Sequence, residues 1–136
     1  MKAQLQVVSN LIIQTSYFAK IRDIKGTVLS ISRHSPSWYT GETYSVLAPS
    51  KSLLYAYKNG EVRQAEYCVE YNQMLSKLNV KEVYNELLRY DDNVTLLCYE
   101  KPCDFCHRRL VAEWLERELN ISVPEFGMNQ RVKKLF

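Results

Sequence analysis

The stretch that most constrains this chain is Val94-Thr95-Leu96-Leu97-Cys98, a continuous run with no charge and a single hydroxyl. It is too short for a helix and shows no polar alternation. It therefore reads as a strand covered on both faces, the pattern of a parallel sheet. Parallel neighbours cannot be joined by a tight hairpin; they need crossover connections, usually helical. The rest of the chain must then supply further strands and several helices.

Two earlier runs supply strands. Leu11 to Gln14 reads as a short buried strand ending in a Thr15-Ser16-Tyr17-Phe18 loop. Thr27 to Ser32 follows Gly26, is rich in β-branched residues and runs out at Arg33-His34-Ser35-Pro36, so it reads as a strand feeding a loop that continues to Pro49. Helices come next. Ser50 is a competent N-cap for a short helix stopped at Asn59-Gly60. Tyr67, Cys68, Tyr71, Met74, Leu75 and Leu78 recur at helical spacing. Asn79 with Glu82 resembles a capping box, and Val80, Val83, Tyr84, Leu87 and Leu88 make the next apolar stripe before Asp91-Asp92-Asn93 breaks the chain. After the apolar strand, Asp104 is placed to cap a long helix. Its buried face is Leu110, Val111, Trp114, Leu115 and Leu119, with Arg109, Glu113 and Arg117 as i,i+4 partners outside. This order spells a small α/β domain, in which ligands bind beyond the carboxyl ends of the strands. Three loops qualify: Thr15–Phe18, Arg33–Gly41 and Cys98–Arg109.

Composition agrees and excludes alternatives. A chain of 136 residues with 46% hydrophobic and 24% charged side chains fits one globular domain, not a disordered or coiled-coil chain. Its 18 basic and 15 acidic residues leave a net charge of +3, too balanced for the concentrated basic face of a nucleic-acid binder. Arg131, Lys133 and Lys134 near the end read as a solvated tail, and Pro124, Phe126 and Leu135 hint that part of that tail docks. Residues 1–10 and 124–136 are expected to be peripheral. No apolar run approaches membrane-spanning length and the N-terminus lacks a secretory pattern. Cys68, Cys98, Cys103 and Cys106 are not spaced as a disulfide framework, so a cytoplasmic protein with reduced thiols is expected.

The chemistry-bearing residues crowd the last loop. His107, Arg108 and Arg109 sit at a helix start, where positive charge is unfavourable by some tenths of a kcal/mol each. Either Asp104 and Glu100 offset them, with the arginines stapling the loop, or an anionic ligand does, helped by Arg33 from the neighbouring rim. Cys106 is a nucleophile candidate because a thiol at a helix start beside cations has its thiolate favoured; the alternative is a small buried packing residue, and Cys98 at a strand end reads as core more readily still. Cys98, Cys103, Cys106 and His107 invite a zinc reading. Adjacent Cys106 and His107 are awkward ligands for one ion, however, and no metal is assigned. Cys103 and Arg109 have the C-x5-R spacing of phosphatases, but the intervening residues lack the glycines such a loop needs. Trp38, Tyr39 and Tyr17 lie outside any helical stripe, and are either rings on which a base stacks or loop anchors.

The segments TSYF, SISRHSPSWYTG, LAPS and LLCYEKPCDFCHRRLVAEWLE resemble the family catalogued as domain of unknown function 488 (DUF488), over about Gln14 to Glu116. The resemblance implies a Rossmann-like α/β fold with a short, mainly parallel sheet in three layers, found in bacteria and their viruses. It places Cys98 and Glu100 at the strand end, Cys106, His107 and Arg108 at the helix start, and Arg33 after the second strand. The Asp often found two residues before that Arg is Ile31 here, so its role is absent or moved, for instance to Glu100.

The expected function is binding of a small anionic ligand, a nucleotide or nucleoside derivative, with glycosidic-bond or group-transfer chemistry if the site is catalytic. Glu100, Cys106 and His107 are the catalytic candidates. Ser16, Tyr17, Arg33, Trp38, Cys98 and Arg108 are the binding candidates. No cofactor is indicated. The contrary class is a non-catalytic sequestering domain or an interaction module whose Cys-His-Arg triplet is purely structural.

Overall fold

A computed structural model describes residues 11–100 and 105–127. Four parallel strands, β1 (Ile12–Tyr17), β2 (Thr27–Ser30), β3 (Glu42–Thr43) and β4 (Asn93–Cys98), form one sheet in the order β1-β4-β2-β3. The apolar run is the central strand, with Leu96 facing Thr15 of β1 on one side and Leu29 of β2 on the other. Val94 to Cys98 are all buried, as a two-sided strand requires.

Two boundaries differ from the expected ones. β1 runs on through Thr15, Ser16 and Tyr17, because these residues pair in register with Leu96, Leu97 and Cys98. Ladder hydrogen bonds to a central strand outweigh the polar composition that reads as a loop. The long loop after β2 contains the two-residue strand β3, too short to show a period, and a 3-10 turn at Ser45–Leu47; a second such turn, Phe18–Asp23, follows β1. Gly26 enters β2 with φ +85°, and a Cβ there would lie 2.5 Å from the Asn93 carbonyl oxygen. Only glycine lets β2 start this close to β4.

Four helices form, α1 (Lys51–Lys58) between its expected cap and stop, and α2 (Gln64–Ser76), α3 (Val80–Tyr90) and α4 (Arg108–Leu119) on the expected stripes. Ser50 Oγ accepts from Leu53 N and Asn79 Oδ1 from Glu82 N, so both named caps form. Tyr67, Tyr71 and Leu75 of α2, Val83 and Leu87 of α3, and Leu110, Val111, Trp114 and Leu115 of α4 share one core with Leu29, Ile31, Val94 and Leu96 of the sheet. On the outer face of α4, Arg117 pairs with Glu118 at 3.6 Å rather than with Glu113. The fold is α/β, of the small Rossmann-like three-layer kind.

Tyr71 is fully buried and its hydroxyl donates to Leu47 O at 2.5 Å, tying α2 to the turn before α1. Burial, reinforced by the neighbouring Cys98, Tyr67 and Cys106, holds its phenol well above the ordinary pKa, so it stays a donor. Tyr71→Phe keeps the ring but orphans that carbonyl. We expect a loss of about 1–2 kcal/mol in denaturant unfolding, with unchanged secondary structure.

After α4, Asn120 adopts φ 55° and turns the chain back along β1. Thr15 N donates to Pro124 O (2.9 Å) and Phe126 N to Thr15 O (2.7 Å), so residues 124–126 extend the sheet edge. The docking hinted at by Pro124 and Phe126 therefore occurs. Leu135, the basic residues Arg131, Lys133 and Lys134, and both Cys103 and Asp104 lie outside the described residues; α4 begins only at Arg108, with His107 in the N-cap position and no side-chain cap, rather than directly after Asp104 as expected. No helix among the described residues is long and apolar enough to cross a membrane.

Candidate functional site

Because all strands run parallel, their carboxyl ends share one rim, and β4 delivers Cys98, Tyr99 and Glu100 to its centre. The chain returns at Phe105-Cys106-His107 and enters α4. His107 locks this return in place: its Nε2 lies 2.6 Å from Ile31 O, just past the end of β2. That contact requires Nε2 to carry the proton and to donate it. Ile31 N in turn donates to Leu97 O, so β2, β4 and the start of α4 are tied at one point.

Cys98, Cys106 and His107, all buried, converge there. Their two sulfurs and a His107 ring nitrogen lie within 4.8 Å of one another. Cys98 Sγ is 3.5 Å from Nδ1 and 3.6 Å from Nε2 of His107. Adjacency of Cys106 and His107 was expected to keep them from one point; the turn preceding α4 brings both side chains to Cys98. The environments of the two thiols differ. Burial pushes Cys98 well up, reinforced by its hydrogen bond to Cys106. Burial also opposes the Cys106 thiolate, but hydrogen bonding with Cys98 and His107 and the positive charge of Arg108 outweigh it and hold Cys106 well down. Cys106 is thus the more acidic thiol of the pair and Cys98 the less acidic.

A pocket of about 240 Å³ opens over this cluster. Its floor is Cys106 and His107; Glu100 and Tyr99 form one wall, and Ser32, Arg33 and His34 after β2 form another. Pro49, Leu54 and Lys58, from α1 and the turn before it, close the third side. Arg33 is aimed by two hydrogen bonds, from Nε (3.1 Å) and Nη2 (2.9 Å), to Pro49 O, which leaves Nη1 for another partner. His34 meets Tyr55 Oη at 3.0 Å. Lys58 is the last residue of α1. Partial burial raises the Glu100 carboxyl, and the neighbouring Cys106 raises it further. The pocket therefore brings together two cationic side chains, a carboxyl that holds its proton more tightly than usual, and a floor of Cys106 and His107.

Arg108, expected to share the anion with Arg33, is placed elsewhere. Its side chain is 4% exposed and forms a fork on Glu125, with Nε to Oε1 at 3.1 Å and Nη2 to Oε2 at 2.9 Å. Thr15 Oγ1 donates to the same Oε1 at 2.6 Å. The negative group that offsets the cationic helix start is thus Glu125, from the returning C-terminal segment. Arg108 Cζ lies 5.7 Å from the Tyr17 ring centroid, so Tyr17 belongs to this second constellation on the β1 side. Ser16 Oγ is buried there without a hydrogen-bond partner among the described residues, and lines no part of the pocket.

Trp38 stands 56% exposed at the rim. It, Tyr39 and Tyr99 meet Phe18 edge-on, with centroids 6.3, 5.2 and 5.0 Å away. Tyr39 is a loop anchor, its hydroxyl donating to Glu42 O at 2.5 Å. Of the expected residues, Arg33, Glu100, Cys106 and His107 line one pocket, with Cys98 directly beneath. Lys58 and Glu125 were not anticipated. Lys58 reads locally as an ordinary C-terminal helix lysine, and Glu125 as part of a solvated tail.

The residues at the site fall within a matched family model. The model DUF488-N3a, described as the "Active DUF488-N3 subclade", matches residues 16–119. The comparisons with curated proteins and with solved structures give no match. The match spans the strand ends, the pocket loops and α4, and by it the chain belongs to the DUF488 family, in its N3a subclade.

Proposed function

We propose that this is a cytoplasmic domain that binds a small phosphorylated ligand, a nucleotide or nucleoside derivative, and acts on it by glycosidic-bond or group-transfer chemistry. The observation that carries the reading is the pairing, in one pocket, of Arg33 and Lys58 with Glu100, Cys106 and His107. A phosphoryl group suits the cations, because Arg33 is already oriented by Pro49 O and loses little freedom on binding. A cavity of 240 Å³ lies below the usual 300–1,000 Å³ range, so it takes the phosphate and sugar while the base remains outside, against Tyr99 and Trp38. Glu100 is the general acid/base, its raised pKa favouring a protonated carboxyl that can donate to a leaving group. Cys106 and His107 assist from the floor. Arg108 acts indirectly, by fixing the start of α4. The description of the matched subclade as active accords with this reading.

A second reading, a silent binder or interaction module, is favoured by the use of His107 on Ile31 O and Arg108 on Glu125, since both are structural contacts. Thermal unfolding against inorganic phosphate, ribose 5-phosphate and nucleoside monophosphates separates the readings. A ligand at 100 times its Kd stabilises by about 2.7 kcal/mol. We expect such a shift for phosphorylated ligands, abolished in Arg33→Ala and Lys58→Ala, whose side chains are exposed and whose folding should survive. Turnover, followed by product chromatography, should vanish in Glu100→Gln while the ligand shift persists. No shift across the panel, with the protein folded, would overturn the proposal; a shift without turnover would leave only the binder.

A further inference from the structure

We infer that Cys98, Cys106 and His107 form a binding site for one zinc-class transition-metal ion at the floor of the pocket. The argument starts from ligand geometry. Zinc bonds of about 2.3 Å to sulfur and about 2.0–2.1 Å to nitrogen, at tetrahedral angles, set ligand–ligand separations of about 3.6–3.8 Å. Here Nδ1 of His107 is already 3.5 Å from Cys98 Sγ, and the three ligand atoms fit within 4.8 Å.

The supporting contacts also match. A metal-bound histidine ordinarily donates its other ring N–H to a carbonyl or carboxylate, which fixes the tautomer. His107 Nε2 does this to Ile31 O at 2.6 Å, leaving Nδ1 as the ring's lone-pair nitrogen. Two thiolates and a dication sum to neutrality, which makes burial of the whole set tolerable. Soft sulfur donors select zinc or its congeners over magnesium or calcium.

Among the described residues the site holds three ligands, which leaves a fourth position to be filled by a further ligand, water or substrate. Cys106 and His107 face the pocket that also holds Glu100, whereas Cys98 closes the site from below. The inference rests on the pocket described above for its functional meaning, but metal binding itself is independent of which ligand enters.

Cobalt(II) added to the reduced, chelator-treated full chain tests it. We expect thiolate-to-cobalt charge-transfer absorption saturating at one ion per chain, bleached by equimolar zinc, and stoichiometric zinc in protein purified without chelator. The band should disappear in Cys98→Ser and in Cys106→Ser, shift in His107→Gln, and persist in Cys68→Ser. If either serine variant fails to fold by circular dichroism, cobalt-dependent protection of Cys98 and Cys106 from alkylation in the unmodified chain is read by mass spectrometry instead. Absence of the band in folded protein, its survival in a folded Cys98→Ser variant, or no protection of either cysteine would overturn the inference. The phosphate-ligand shift and its loss in Arg33→Ala are measured on metal-free protein, so each reading fails separately.

Discussion

Glu125→Ala should lower the unfolding free energy by roughly 3–5 kcal/mol, the usual cost of removing one partner from a buried ion pair. The magnitude follows from what is left behind. Arg108 has a side chain only 4% exposed, and Glu125 supplies both oxygens of its fork. Its Nη1 already lacks a hydrogen-bond partner among the described residues, so no alternative acceptor stands ready. An arginine cannot be deprotonated in a protein, so neutralisation offers no escape. Thr15 Oγ1 loses its acceptor in the same stroke. For a chain of this size the loss corresponds to a melting temperature lower by roughly 10–15 °C. Replacing both partners by apolar residues, Arg108→Leu with Glu125→Leu, should recover much of the loss, since a well-packed apolar pair is often no worse than a buried ion pair. A near-zero effect of Glu125→Ala in urea unfolding would mean that the C-terminal segment does not dock on β1.

The second large effect is expected at Leu96. It lies at the middle of the central strand with no exposure, facing the core formed by α2, α3 and α4. Leu96→Ala removes its transfer free energy and leaves a cavity that flanking strands β1 and β2, both hydrogen-bonded to β4, cannot collapse into. We expect about 3–4 kcal/mol, within the range for buried Leu→Ala. Leu96→Met, nearly equal in volume, should cost under about 1.5 kcal/mol. The two variants together distinguish loss of packing from loss of strand pairing: if Met were as costly as Ala, shape at this position rather than volume would control the fold.

These predictions separate two kinds of information. The central strand, the caps Ser50 and Asn79, the stop at Asn59-Gly60 and the stripes of α2 to α4 were legible along the chain because each depends on residues within one or two helical turns. The strand end of β1 was not. Whether Thr15, Ser16 and Tyr17 are strand or loop depends on pairing with residues some 80 positions away. The site divides in the same way. The residue types and their placement at strand ends pointed to Arg33, Glu100, Cys106 and His107, since a parallel sheet puts those ends on one rim.

What the amino-acid order determined by itself was the α/β class, the helices, and the rim on which chemistry gathers; periodicity and capping are local and survive without knowledge of the partner. What tertiary structure alone decided was which charges meet. Two arginines that look alike in the chain part company: Arg33 is held by Pro49 O at the pocket wall, while Arg108 is held by Glu125 on the far side of β4. An ion pair has no period and no spacing rule. It forms wherever folding brings opposite charges together away from water, and so it cannot be read from order alone.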